Sequence, residues 1–195
     1  MHVKNQIRIL GFDDGPFKKD GKRCVIIGCA FRGAEQLDGV LRIYVKVDGL
    51  DATEKLAKLI RRCKFKDARV VMLDGITYAG FNVVNIKQLS LRTNLPVIAI
   101  MRKKPNLKEF LEAMRRLPNY EERYRAVKDA GKIYGAKVEC NNRKGKLYYQ
   151  KAGIAASTAR KIIKTSLKTS LYPEVLRIAH LIATGIVLGE SLGRA

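Results

Sequence analysis

Residues 69–101 read RVVMLDGITYAGFNVVNIKQLSLRTNLPVIAIM, and this stretch decides the fold. Arg69 to Leu73 is a short unbroken apolar run, the pattern of a strand covered on both faces. Helical spacing follows from about Val83 to Arg92, and Pro96 to Met101 is a second unbroken apolar run. A buried strand, a helix and another buried strand make a right-handed crossover between parallel strands.

Upstream the period is different. Ile7-Arg8-Ile9-Leu10 is a strand running into the turn signal Gly11-Phe12-Asp13-Asp14-Gly15-Pro16, and Cys24 to Phe31 is a second strand. The third, Gly39 to Val47, alternates: Val40, Arg42, Tyr44 and Lys46 take one face, Leu41, Ile43, Val45 and Val47 the other. Charged loops join the three, as in an antiparallel meander. Thr53 then caps a helix carrying Leu56, Leu59 and Ile60 at helical spacing. Downstream, Leu107 to Ala130 is charged and helical, broken at Pro118-Asn119. A hairpin follows, Lys132 to Cys140 and Gly145 to Lys151 about Asn141-Asn142-Arg143-Lys144. Two helices close the chain, Ile154 to Leu167 and Pro173 to Leu188. The expectation is one α/β domain over residues 1–195, with three antiparallel strands leading into a parallel portion, helices on its flanks, and a helical and hairpin insertion at 106–150.

The 195 residues carry 39 Lys/Arg against 18 Asp/Glu, a formal charge of +21. Residues 1–100 hold 18 basic against 10 acidic side chains and residues 101–195 hold 21 against 8, so the excess belongs to the folded body. Such a field draws polyanions and holds phosphates by counterion release; it also serves solubility. Cys24, Cys29, Cys63 and Cys140 form no C-x-x-C pair, which argues against zinc and for reduced thiols. The N-terminus reaches Lys4 and Arg8 without an apolar signal core, and the most apolar stretch, Ile178 to Gly189, is short of the ~20 residues that span a bilayer. A cytoplasmic protein is expected.

Carboxylates are scarce in so basic a chain, so their placement is informative. Asp13 and Asp14 stand at the carboxyl end of the first strand. Asp48 and Asp51 follow the third, with Glu54 one turn into the next helix, and Asp74 ends the fourth within Leu73-Asp74-Gly75. Crevices form at the carboxyl ends of parallel strands. If Asp13 and Asp74 meet there, their repulsion calls for a cation, and oxygen ligands without thiols favour Mg²⁺ or Mn²⁺. Each Asp-Gly also fits an ordinary turn; repetition at three strand ends singles them out.

His180 lies on the closing helix among Val175, Ile178, Ala179, Ile182 and Ile186, where it suits a satisfied core side chain as well as a group that orients or protonates a metal-bound ligand; the other histidine is His2. Glu174 complements the helix dipole or serves as a spare carboxylate. Arg160, Lys164 and Lys168 recur every fourth residue with Lys161 beside them, and Arg102-Lys103-Lys104 follows a buried strand. Both sets can track phosphates, and Tyr148, in a basic hairpin, can stack on an unpaired base; each also fits a solvated face.

With Gly11-Phe12-Asp13-Asp14-Gly15, Val47-Asp48-Gly49-Leu50-Asp51-Ala52-Thr53, residues 73–82 (LDGITYAGFN) and Arg177-Ile178-Ala179-His180 set together, the chain from about Ile7 to Gly189 resembles an archaeal family related to endonuclease V and described as endonuclease dU. The resemblance implies a ribonuclease H-like sheet and a metal site in which Asp13, Asp74 and His180 match the endonuclease V residues. Endonuclease V has a glutamate between its two aspartates; the matching region here offers Asp48 or Asp51, nearer the strand end, and then Glu54. Its Pro-Tyr-Ile-Pro wedge is absent, so an inosine preference is not implied. The expected activity is Mg²⁺- or Mn²⁺-dependent cleavage of DNA, rather than RNA, beside a deaminated or modified base such as deoxyuridine, in DNA repair, with no membrane and no obligate protein partner. The competing expectation is a ribonuclease H-like scaffold that grips nucleic acid without cutting it.

Overall fold

The computed structural model describes residues 3, 6–18 and 21–193; His2 and Lys4 lie outside them. Along the chain come β1 (Arg8–Asp14), β2 (Arg23–Arg32), β3 (Gln36–Lys46), α1 (Ala52–Arg62), β4 (Val70–Asp74), β5 (Thr77–Tyr78), β6 (Asn82–Val83), α2 (Ile86–Thr93), β7 (Val97–Met101), α3 (Leu107–Met114), α4 (Tyr120–Asp129), β8 (Tyr134–Cys140), β9 (Arg143–Ala152), α5 (Ala156–Thr165) and α6 (Glu174–Leu188). Among the described residues seven strands form one sheet, in the order β3-β2-β1-β4-β7-β9-β8. β1, β4 and β7 are parallel, and α2 makes the crossover that the apolar runs of 69–101 require. β2 and β3 add the antiparallel meander on one side. The β8–β9 hairpin pairs with β7 and so extends the same sheet. Its turn is only Asn141-Asn142, both at positive φ (50° and 60°), the left-handed geometry that two-residue hairpin turns need.

Three local expectations shift. Gly11 to Asp14 is strand rather than turn, because β2 and β4 flank it and complete its backbone hydrogen bonds in the extended state. Thr53 lies inside α1 rather than capping it; Asp51 is the N-cap residue, and the Thr53 hydroxyl accepts the Asn85 N–H at 2.9 Å. α2 begins at Ile86, capped by the Asn85 side chain accepting from the Gln88 N–H at 2.9 Å, while Asn82 and Val83 pair with Thr77 and Tyr78 in a small ribbon.

Side chains alternate across the sheet. Leu10, Phe12, Val71, Leu73 and Ala99 pack towards α1 and α2, with Leu56 and Leu89. Ile9, Val70, Met72, Ile98 and Ile100 pack towards α5 and α6, with Ile162, Ile163 and Leu176. Each of the larger of these side chains, buried completely, stabilises the fold by about 1.5–3 kcal/mol. Continuing the alternation, Asp13 and Asp74 both emerge on the α6 face and Asp14 on the other. Cys24, Cys29 and Cys63 are buried thiols and Cys140 is partly exposed; all four are free. Among the described residues no helix is long and apolar enough to cross a membrane.

Candidate active site

The last paired residues of β1 and β4 are Phe12 and Leu73, so Asp13 and Asp74 are the next positions on adjacent parallel strands. Both carboxylates leave the hydrophobic core at the strands' carboxyl ends, on the same face. Asp13 is 5% exposed. Burial pushes the Asp74 carboxyl up to about 6, and the neighbouring charge of Asp13 adds to the rise. The Tyr172 hydroxyl, Arg102 and His180 work against it. Two acids in one poorly solvated place repel, and neither has an Arg or Lys in a salt bridge among the described residues.

α6 supplies the third group, and a glycine sets its position. A Cβ on Gly11 would lie 2.4 Å from Cγ2 of Val175, so the helix touches the strand where a side chain is missing. Five helical residues on from Val175 advance about 7.5 Å, and two strand residues on from Gly11 advance about 6.6 Å. The two steps end together: His180 Nδ1 is 2.9 Å from Asp13 Oδ2. Facing a carboxylate, Nδ1 carries the proton. The hydrogen bond to Asp13 raises the His180 pKa; burial opposes the rise and the charge of Asp13 supports it. Nε2 is buried and among the described residues has no hydrogen-bond partner; the Leu192 carbonyl is near enough to favour the charged ring but outside bonding geometry.

Asp74 has its own donor. The Tyr172 hydroxyl, just before α6, donates to Asp74 Oδ1 at 2.6 Å, and the Arg102 guanidinium lies over the Tyr172 ring, 3.6 Å from its centroid. Asp74 Oδ2 has no hydrogen-bond partner among the described residues. Asp14, on the other face, accepts the Ala79 N–H at 2.6 Å, and burial pushes its carboxyl up to about 7.

The other expected residues go elsewhere. Asp48, at φ 47°, accepts the Phe81 N–H at 2.8 Å. Asp51 accepts the Lys46 N–H and the Asn82 amide and pairs with Lys55 at 2.8 Å. Their oxygens hold the loops around α1, and among the described residues they share no hydrogen-bond partner with Asp13 or Asp74. Glu54 pairs with Arg92. Glu174 is gripped by Arg177 and the Thr169 hydroxyl, which hold its carboxyl below the usual range against the cost of burial, so it is not spare.

Of the expected phosphate-binding residues, Arg102, Lys103 and Lys104 are exposed beyond the end of β7, at the same rim as Asp74. Tyr148, half-buried under Lys146, pairs with Met101 at that rim but on the opposite face; its neighbour Tyr149 is the core ring. Arg160 reaches the Tyr149 hydroxyl. Lys161 and Lys164 are exposed, and Lys168 pairs with Glu35 in the β2–β3 turn, at the far end of β1 from Asp13. The cationic stripe therefore leads away from the carboxylates. Sequence reasoning missed Tyr172 and the role of Gly11. No local pattern links residues 98 positions apart, although Tyr-Pro before a helix marks a fixed entry.

Among the described residues no group of three or more His, Cys, Asp and Glu side chains gathers as a metal site. The donors fit a cation that needs only two carboxylates: Mg²⁺ and Mn²⁺ keep several waters and take remaining ligands from substrate phosphate. The Asp74 Oδ2 without a hydrogen-bond partner among the described residues, and the repulsion between Asp13 and Asp74 that His180, Tyr172 and Arg102 offset only in part, suit such an ion.

A protein of unknown function from Archaeoglobus fulgidus has the same fold, with a TM-score of 0.83 at 41% identity over 93% of this chain and 98% of that one. Endonuclease V of Ciona intestinalis, solved with DNA containing an inosine followed by a ribo-adenosine, superposes with a TM-score of 0.60 at 16% identity over 89% and 82%, a likeness of fold. The expected ribonuclease H-like layering is therefore borne out. A UPF0215 protein of Methanosarcina barkeri is 47% identical over all of this chain and 98% of its own length. The family model described as endonuclease dU matches residues 5–187, and on that match this chain belongs to the endonuclease dU family.

Proposed function

We propose that the protein is a divalent-metal-dependent endonuclease that cleaves the DNA backbone beside a deaminated or modified base such as deoxyuridine, with a role in DNA repair. One observation carries the reading: Asp13 and Asp74 end adjacent parallel strands on one face, each with one oxygen gripped by an aromatic donor, under a helix that brings His180. The family's description and the inosine-containing DNA bound by the Ciona endonuclease V support the substrate class.

Asp13 and Asp74 would hold Mg²⁺ or Mn²⁺. When bound, such an ion supplies charge for the phosphate oxygens and acidifies a water. The chain's own residues do the rest. Arg102, exposed beside Asp74, neutralises a phosphate, and Lys103 and Lys104 follow the backbone away from it. His180 is oriented by Asp13 through Nδ1, which holds the imidazole beside the carboxylate pair as a group that could exchange a proton there. Burial of both carboxylates strengthens every charge interaction at the rim.

The test is a cleavage assay on strands containing deoxyuridine, deoxyinosine or a mismatch, with Mg²⁺, Mn²⁺ or chelator. A cut at one modified base that chelator abolishes is expected. The competing reading, nucleic-acid binding without cleavage, has on its side that among the described residues no group of three or more metal-binding side chains gathers. It requires salt-sensitive binding and no product with either ion, and that result would falsify the nuclease.

A further inference from the structure

We infer that Tyr172 is a positioning residue for Asp74, as His180 is for Asp13; this rests on the carboxylate-pair reading above. A carboxylate turns freely about its last bond, through a broad two-fold torsion. One firm donor stops that rotation and decides which oxygen is presented. The Tyr172 hydroxyl does so at 2.6 Å on Oδ1, leaving Oδ2 as the oxygen open to a ligand. The ring cannot swing away: it is 1% exposed, packs in the core beneath α6, and has the Arg102 guanidinium stacked 3.6 Å from its centroid.

The two donors belong to one rigid body. Tyr172 enters α6 through Pro173 and His180 lies two turns along it, while Val175 between them rests on Gly11. Seating the helix thus sets both carboxylates at once. The donors differ in chemistry. Imidazole brings charge to Asp13, whereas a neutral phenol orients Asp74 and leaves its full negative charge for a cation.

The rival explanation is that Tyr172 is a core ring whose hydroxyl found the nearest acceptor. Tyr172→Phe separates the two, because it keeps the ring, the packing and the Arg102 stack and removes one O–H. Mn²⁺ binding to the DNA-free protein is read by electron paramagnetic resonance, with thermal unfolding and steady-state cleavage alongside. Expected are a Tm near wild type, Mn²⁺ affinity weaker by tenfold or more, a lower kcat at saturating Mn²⁺ and an unchanged KM for DNA. Tyr149→Phe, which removes a hydroxyl donating to the Ala156 carbonyl at 3.1 Å in the same core, should leave Mn²⁺ affinity as it is.

Mn²⁺ affinity and kcat within twofold of wild type in Tyr172→Phe, with both lost in Asp74→Ala, overturn the inference and leave the nuclease standing. An equal loss in Tyr149→Phe also overturns it, since the effect is then one of packing. A wild-type protein that neither binds Mn²⁺ nor cuts takes down the carboxylate-pair reading itself, and the inference with it.

Discussion

His180 Nδ1 and Asp13 Oδ2 stand 2.9 Å apart across 167 residues of chain, and the contact depends on a missing side chain at Gly11. The glycine lets α6 lie on β1, and the unequal rises of helix and strand bring the imidazole over the carboxylate. Chemistry at this rim therefore hangs on packing two residues below it, which can be tested separately from the chemistry.

Gly11→Ala forces Val175 and α6 outward. The expected cost is about 1–3 kcal/mol of stability, as for other overpacked cores, with cleavage reduced beyond what the unfolded fraction explains. Urea unfolding alongside the cleavage assay measures both. Unchanged stability would mean the helix is free to shift.

Asp74→Ala is expected to lower metal-dependent cleavage by at least about a hundredfold, since charge stabilisation at the phosphate is lost. DNA binding, read by fluorescence anisotropy, should be nearly unchanged. Full activity in this variant removes Asp74 from the site.

Arg102→Ala tests the phosphate contact. If Arg102 neutralises one phosphate, the slope of log affinity against log salt becomes shallower by about one. Lys168→Ala serves as the contrast, because its ammonium already pairs with Glu35 at the far end of β1. Equal effects of the two variants would point to a diffuse field rather than a track beside Asp74.

Asp14 carries a pH dependence of stability whose sign is determined. Its folded pKa, raised by burial to about 7 from 3.8, means the folded state holds the proton more tightly than the unfolded state. That contribution is complete below 3.8 and is lost as pH rises through about 7, a span worth at most about 4 kcal/mol. Asp14→Asn, which retains an acceptor for the Ala79 N–H, should raise the Tm at pH 8 and change it little at pH 4. Thermal melts across that range decide it, and an unaltered pH profile would show that Asp14 is solvated.

Arg123 is 2% exposed and among the described residues has no carboxylate partner; it donates to the carbonyls of Asp48, Gly49, Phe81 and Pro118. Arg123→Met leaves those acceptors unpaired. A loss of about 3 kcal/mol or more is expected, with faster hydrogen exchange at Asp48 to Leu50 and Phe81 to Asn82. If exchange accelerates only within α4, the side chain does not hold these loops.

Much of the fold was legible because periodicity is a local property. The unbroken runs at 69–73 and 96–101 and the alternation at 39–47 report burial on two faces or one, and the structure has strands there; Pro118-Asn119 marks a backbone break, and α3 and α4 are separated there. Element ends were less legible. Gly11 to Asp14 has turn composition, yet two neighbouring strands hold it extended. Thr53 has cap chemistry, yet its hydroxyl serves Asn85 from inside the helix. In both cases a long-range partner outweighed a local preference.

The same division runs through the candidate site. By itself the sequence determined that carboxylates stand at strand ends in a basic chain, and that one histidine sits on the closing helix, because residue type and period need no partner to be read. Which carboxylates share a face, which are used up holding loops, and that a tyrosine 98 residues away grips Asp74 were decided only by the tertiary structure. Strand order, and the depth at which α6 settles on Gly11, are products of pairing and packing between distant segments, and no stretch of chain carries them alone.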